Sequence, residues 1–162
     1  MYGRAALWAG LFIWGAWFVV HGIDWEAIGG SFMHQINLPF HEFGHVLFAP
    51  FGRFLAILGG SLFQVSLPLG LAVAFVISQR DNFGASVCLW WCGQYFVDLA
   101  PYIADAPLRA LPPVGGAGES SHDWGNLLEM LGWMDGAQGL ARLSFAWGSL
   151  LMGEAQGWGL LP

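Results

Sequence analysis

The run LAILGGSLFQVSLPLGLAVAFVIS, residues 55–78, decides the class of fold because it contains no charged side chain. A helix needs about 20 mostly apolar residues to cross the hydrocarbon core of a bilayer. A helix also satisfies its own backbone polar groups, which lipid cannot do. The run therefore predicts a transmembrane helix.

The composition of the whole chain agrees with a lipid environment. Of the 162 residues, 56% are hydrophobic and only 10% are charged, whereas soluble domains carry about 25% charged residues. The chain has no lysine, and its net charge is −6. Without clustered Lys or Arg it lacks the phosphate contacts of a nucleic-acid-binding protein, so we expect no nucleic-acid partner.

Four further apolar segments flank this run, at residues 5–20, 39–52, 83–104 and 140–152. In the segment 39–52, Pro39 suits the first helical turn and Asn37 can cap it. Residues 106–121, rich in Pro and Gly, predict a loop before a short amphipathic helix. The sequence thus predicts an all-α fold, a polytopic integral membrane helical bundle of about five transmembrane segments. Residues 1–162 are expected to form a single membrane-embedded domain.

The arginines predict the orientation of these segments, because cytoplasmic loops are enriched in positive charge. With Arg4 in the cytoplasm, alternate crossings place Arg53 and Arg109 on the same side, while Arg80 falls outside. The prediction is an integral protein of a bacterial-type inner (cytoplasmic) membrane with a cytoplasmic N-terminus. The candidate site residues described next would then lie toward the cytoplasmic side.

The motif HEFGH, residues 41–45, carries the side chains of a zinc hydrolase inside one apolar segment. Helical spacing places His41 and His45 on one face, where together they can bind a single Zn2+ ion. Glu42 can take a proton from a zinc-activated water, and Gly44 leaves room for a substrate backbone. The alternative is a histidine pair that only hydrogen-bonds to its neighbours, but ionisable groups in lipid are costly without a function.

Catalytic zinc usually has three protein ligands, so a third must come from elsewhere in the chain. Gln94, Asp98, Tyr102 and Asp105 form a polar stripe at helical spacing, which should face the interior of the bundle. Asp105 is one candidate ligand. Asp98 is equally suited to a hydrogen bond with a neighbouring helix.

His122 is the other candidate ligand. Ser120 and Asp123 have the spacing of a capping box, which gives Asp123 a sufficient local role. His122 would then lie in the first helical turn, where the helix dipole favours a neutral, metal-binding imidazole. The sequence leaves open whether the third ligand is Asp105, His122 or both.

These residues resemble the site-2 proteases, a family of intramembrane zinc metalloproteases, over about residues 37–109. HEFGH resembles the zinc-binding helix of the family. GGSLFQ, residues 59–64, resembles its Gly-Pro-x-x-Asn element, and DLAPYIADA, residues 98–106, resembles its Asn-Leu-x-Pro…Leu-Asp-Gly element. The resemblance implies Zn2+ as cofactor and Asp105 as the aspartate ligand. Gln64, Gln94, Asp98 and Tyr102 are candidates for supporting those ligands.

The function predicted is that of an intramembrane zinc metallopeptidase, with Glu42 as general base and a membrane-embedded or membrane-proximal peptide as substrate. The alternative is a non-catalytic, pseudoprotease-like small subunit of a larger membrane complex. The expected partners are membrane lipid and either a membrane-spanning peptide substrate or partner membrane subunits. Haem ligation by His21 or His34 is a third, less favoured hypothesis.

Overall fold

The computed structural model describes residues 2–111 and 122–160, and within those ranges the chain is helical without a strand. This confirms the all-α prediction for the described residues. Helix α4, Arg53–Ala74, continues as a π-helical turn, Phe75–Gln79. The α-helices are α1 Tyr2–His21, α2 Trp25–Gly29, α3 Phe32–Phe48, α4 Arg53–Ala74, α5 Asn82–Asp105, α6 Asp123–Met130 and α7 Ala137–Trp158.

Helix α3 begins well before the point that the sequence predicted. Ser31 is its N-cap and accepts a hydrogen bond from the backbone N–H of His34 at 3.1 Å. Asn37 is fully buried inside the helix, and its side-chain amide donates to Gln94 on α5 at 2.8 Å. The predicted start at Pro39, with Asn37 as cap, is therefore wrong, because Ser31 supplies an earlier cap and the helix continues through Pro39.

Two helices are long and apolar enough to cross a membrane, Tyr2–His21 and Arg53–Gln79, with mean hydropathies of 1.4 and 1.9. Only 11% and 28% of their most apolar stretches are buried inside the protein, so most of that apolar surface faces outward. The length and composition of the helices therefore do not support the predicted number of about five transmembrane segments. Helix α3 is short, with 17 residues, and α5 and α7 are long but more polar.

Helix α5 packs against both α7 and α4. Glycines allow the close approach to α7: a Cβ on Gly93 would lie 2.7 Å from the carbonyl oxygen of Gly148. Helices α3 and α4 cross in the same way, since a Cβ on Gly59 would lie 2.6 Å from the carbonyl oxygen of Gly44. Small residues at helix crossings are a common packing solution in membranes.

The start of α1 lies beside the junction between the end of α4 and the start of α5. Arg4 on α1 forms an ion pair with Asp81, the cap of α5, at 3.3 Å. Arg4 and Arg80 also line one cavity. The predicted orientation, with Arg4 and Arg80 on opposite sides of a membrane, does not agree with this contact, because the two arginines lie at the same end of the bundle.

Candidate metal centre

Two histidines of α3 face Gly60 of α4. His41 and His45 lie four residues apart on one face of α3, and their ring centroids are 4.6 Å apart. A Cβ on Gly60 would lie 2.6 Å from His45 Nε2 and 2.7 Å from His41 Nε2. Glycine at this position of α4 therefore provides the space in which the two imidazoles converge.

A carboxylate from α6 completes the group. Asp123 Oδ2 lies 2.8 Å from His41 Nε2 and 3.1 Å from His45 Nε2. These three residues form the one group of three or more possible ligands found in the described part of the chain, with all ligand atoms within 4.8 Å of one another. Two imidazole nitrogens and a carboxylate oxygen are a donor set that suits Zn2+ and leaves a fourth position open.

Both imidazoles are oriented by hydrogen bonds on the nitrogen that faces away from Asp123. His41 Nδ1 lies 2.8 Å from Gln64 Oε1, and His45 Nδ1 lies 2.8 Å from the carbonyl oxygen of Ala56. Oxygens of this kind only accept, so each Nδ1 carries a proton, and each Nε2 is the nitrogen that a metal would take in place of its hydrogen bond to Asp123. Partners of this type are characteristic of metal-binding histidines. Gln64, which the sequence suggested as a supporting residue, contacts the nitrogen of His41 that faces away from Asp123.

Asp123 is held in its ionised form by the histidines. Burial by itself would raise the pKa of the Asp123 carboxyl, because it disfavours the charged form. The hydrogen bonds and positive potential from His41 and His45 outweigh that effect and lower the pKa below its usual value. A carboxylate in this state is ready to bind a cation.

The two predicted third ligands bind each other instead of joining this group. His122 Nε2 lies 3.1 Å from Asp105 Oδ2, and both side chains are buried. The same Asp105 oxygen accepts the backbone N–H of Leu111 at 2.8 Å. His122 Nδ1 accepts the backbone N–H of Gly125 at 3.0 Å, so both of its ring nitrogens are engaged. Within the described residues, the contact between Asp105 and His122 therefore links the end of α5 to the start of α6.

Asp123 is the member of this group that the sequence reasoning missed. The predicted capping box relied on Ser120, which lies outside the described residues, and the N-cap of α6 is His122. His122 caps the helix, and among the described residues the Asp123 carboxylate contacts His41 and His45 on α3. The adjacent pair His122–Asp123 at a helix start was the available signal, because neighbouring residues at that position point to different faces.

Two residues of the motif lie differently from the prediction. Glu42 is exposed on α3 and does not line the cavity beside the ligands. Gly44 does not leave a surface for a substrate, because α4 packs against it at Gly59. Its role in this structure is to let α3 approach α4 closely enough for the histidines to reach Gly60.

A small cavity of about 20 Å3 adjoins the ligands, enough for one water molecule or ion. The remaining polar-stripe residues lie around or behind it. Asp98 accepts from His34 and Asn37, while Gln94 accepts from Asn37. The cavity is lined by His34, Leu38, His41, Gln64, Asp98, Leu99, Tyr102, His122, Asp123 and Trp124.

No protein-family model, curated protein or solved structure matches this chain. The assignment of a function therefore depends on the geometry of His41, His45 and Asp123.

Proposed function

We propose that the protein is a membrane-embedded zinc metallopeptidase whose metal ligands are His41, His45 and Asp123. The observation that carries the proposal is the convergence of both Nε2 atoms on Asp123, at 2.8 Å and 3.1 Å, with each Nδ1 already engaged. Two imidazole nitrogens and a carboxylate oxygen within 4.8 Å of one another could hold a metal ion.

A zinc ion bound there would supply Lewis-acid activation of a water molecule and polarisation of a carbonyl group. Glu42 follows His41 directly on α3, and we assign it the role of general base, which takes the proton of the attacking water and passes it to the leaving amine. The resemblance of HEFGH to the zinc-binding helix of site-2 proteases supports this assignment. A helical substrate would have to unwind locally, because its backbone carbonyls are otherwise engaged.

The membrane part of the proposal rests on α1 and on the helix Arg53–Gln79 as spans. Helices α5 and α7, with 24 and 22 residues, are long enough to cross beside them. Exposed apolar side chains such as Ile13, Val20 and Ile77 fit contact with lipid. The substrate proposed is a membrane-embedded or membrane-proximal peptide, in a bacterial-type inner membrane with the N-terminus in the cytoplasm.

A second function, a non-catalytic subunit of a larger membrane complex, is favoured by two observations. The cavity of about 20 Å3 is too small for an extended peptide. Glu42 is exposed instead of lining that cavity. On this alternative the metal centre would stabilise the packing of α6 on α3 and have no catalytic role.

Metal analysis and proteolysis together test the proposal. Protein purified without chelator should contain close to one equivalent of zinc, and His41→Ala should remove it. Glu42→Gln should retain zinc and lose cleavage of transmembrane peptides reconstituted in liposomes. A wild-type protein without zinc contradicts the metal centre, whereas zinc without cleavage of any peptide supports the subunit alternative.

A further inference from the structure

A cavity of about 390 Å3 lies where the start of α1 meets the junction between α4 and α5. Two of the five arginines of the chain, Arg4 and Arg80, line it together with one acidic residue, Asp81. Arginine keeps its positive charge at every physiological pH. The charged residues around the cavity therefore leave one positive charge in excess, in a chain whose net charge is −6.

The acidic residue of the cavity already has partners for both carboxylate oxygens. Asp81 Oδ1 caps α5 and accepts the backbone N–H of Phe83 at 3.1 Å. Asp81 Oδ2 lies 3.3 Å from Arg4 Nη2, and the Arg4 guanidinium also lies over the Phe83 ring, 5.2 Å from its centroid. No described residue forms an ion pair with Arg80. The charge of Arg80 is therefore without a counterion among the described residues.

An apolar groove of about 280 Å3 adjoins this cavity and runs between α1 and α7. Trp8, which lines the cavity, donates its indole N–H to the carbonyl oxygen of Gln156, which lines the groove, at 3.0 Å. The residues of α1 that line the groove extend from Leu11 to Val20, about 14 Å along the helix axis. The hydrocarbon of one leaflet is about 15 Å thick, so the groove has the length of an acyl chain in its leaflet.

The cavity lies at one end of both candidate membrane spans. Helix α1 begins at Tyr2, and the helix Arg53–Gln79 ends next to Arg80. The ends of a span lie at the level of the lipid headgroups, and the helix surface between them faces acyl chains. A charged cavity followed by an apolar groove thus has the same order as the headgroup and the acyl chain of a phospholipid.

We propose that this cavity and groove bind one anionic phospholipid, with its phosphate at Arg4 and Arg80 and an acyl chain between α1 and α7. A planar guanidinium matches two phosphate oxygens with two hydrogen bonds. The excess positive charge favours an anionic headgroup over a zwitterionic one, and the groove favours a lipid over free phosphate. This inference rests on the membrane location within the proposed function, and not on the metal centre or the peptidase activity.

Native mass spectrometry of the delipidated full-length protein in a non-ionic detergent tests the site. The probes are phosphatidylglycerol, which is anionic, and phosphatidylcholine with the same acyl chains, which is zwitterionic. Wild-type protein should prefer phosphatidylglycerol by about 5-fold, the effect of one positive charge near a membrane surface. Arg4→Gln and Arg80→Gln should each lower the affinity for phosphatidylglycerol by about 5-fold, and the double variant by about 25-fold.

Removal of the acidic charge should have the opposite effect. Asparagine caps a helix about as well as aspartate, so Asp81→Asn should keep α5 intact. Its affinity for phosphatidylglycerol should rise by about 5-fold, whereas general damage to the fold would lower it. Arg53→Gln is the control for net charge, because Arg53 lies at the opposite end of the helix Arg53–Gln79. It should leave the affinity unchanged.

Gly153→Leu tests the groove independently of charge. Gly153 lines the groove, and no atom lies within 4 Å of an added Cβ. A leucine there would fill part of the groove, so the affinity for long-chain phosphatidylglycerol should fall by about 10-fold, the loss of about two buried methylene groups. Gly139→Leu on the same helix also meets no atom within 4 Å and lies outside the groove, so it should have no effect.

Three results would overturn the lipid site. They are equal wild-type affinity for the two lipids, unchanged affinity in both arginine variants, and displacement of phosphatidylglycerol by inorganic phosphate at the same concentration. Zinc content, measured on the same preparations, separates this inference from the metal centre. Wild-type protein without zinc contradicts the metal centre and leaves the lipid site standing. Protein that stays in solution without detergent contradicts the membrane location and the lipid site together.

Discussion

At the scale of single residues, two aspartates at the candidate metal centre differ in their contacts. Asp123 lies within hydrogen-bonding distance of both histidines, whereas Asp105 is bound to His122 and to a backbone N–H. The same side-chain type therefore has two different sets of contacts, one in Asp123 at the start of α6 and the other in Asp105 at the end of α5. Asp123 would bind a cation. Asp105 binds His122 and so holds the start of α6, which carries Asp123.

Substitution of the two aspartates should separate these roles. Asp123→Ala removes one of three ligands, so zinc affinity should fall by more than about 100-fold, beyond the usual loss for an outer partner. Asp105→Ala acts only through His122 and should cost about 10-fold or less. Competition with a chromophoric chelator measures both. An equal and complete loss of zinc in Asp105→Ala would restore Asp105 as a ligand.

Gly60 gives a second prediction at this scale. The Cβ of Gly60→Ala would lie within 2.7 Å of both Nε2 atoms, so the imidazoles must move and zinc content should drop sharply. Gly70→Ala on the same helix is the matched control, because no atom lies within 4 Å of its added Cβ. Elemental analysis of the two purified variants measures their zinc content and so tests this prediction. Full zinc occupancy in Gly60→Ala would show that the rings point elsewhere.

At the scale of helices, the crossing of α5 and α7 depends on two glycines in direct backbone contact. A Cβ on Gly93 would come within 2.7 Å of the Gly148 carbonyl oxygen and 2.9 Å of the Met152 backbone nitrogen. Backbone atoms cannot rotate aside as a flexible side chain does, so the two helices would have to separate.

Gly93→Ala should therefore destabilise the protein by about 1–3 kcal/mol, the usual cost of overpacking. Gly139→Ala on α7 meets nothing within 4 Å and should leave stability equal or slightly higher. Thermal unfolding in detergent, followed by circular dichroism, compares the two variants. Equal midpoints would mean that α5 and α7 are farther apart than the structure places them.

At the scale of the whole molecule, the contact between Arg4 and Asp81 constrains how the bundle lies in a membrane. If α1 and the helix Arg53–Gln79 both cross, Arg4 and Arg80 emerge on one side and Arg53 on the other. The positive charge is then divided between the two sides, so the arginines alone give only a weak orientation signal.

Labelling with a membrane-impermeant maleimide tests this arrangement. The native thiols Cys88 and Cys92 are buried and can be replaced by alanine. In that background Arg4→Cys and Arg80→Cys should react from the same side of sealed vesicles, and Arg53→Cys from the opposite side. Reaction of Arg4→Cys and Arg80→Cys from opposite sides would instead restore the orientation predicted from the sequence.

The sequence by itself determined the helical class and two of the three residues of the candidate metal centre. Apolar runs without charge require helices in lipid, and the run at residues 55–78 lies within the strongest candidate span. His41 and His45 were predictable because helical spacing fixes two side chains four residues apart on one face, wherever the helix is placed. Such local periodicity needs no knowledge of neighbouring helices.

Only the tertiary structure decided the third residue of the candidate metal centre and the cavity beside it. Asp123 lies 82 residues from His41 along the chain, and its direction depends on His122 capping α6 and binding Asp105. The pairing of His34 with Asp98 spans 64 residues in the same way. Contacts between residues so far apart in the chain depend on how the glycine-lined helices cross. The geometry of such a crossing has no local signature in a sequence that is apolar nearly throughout.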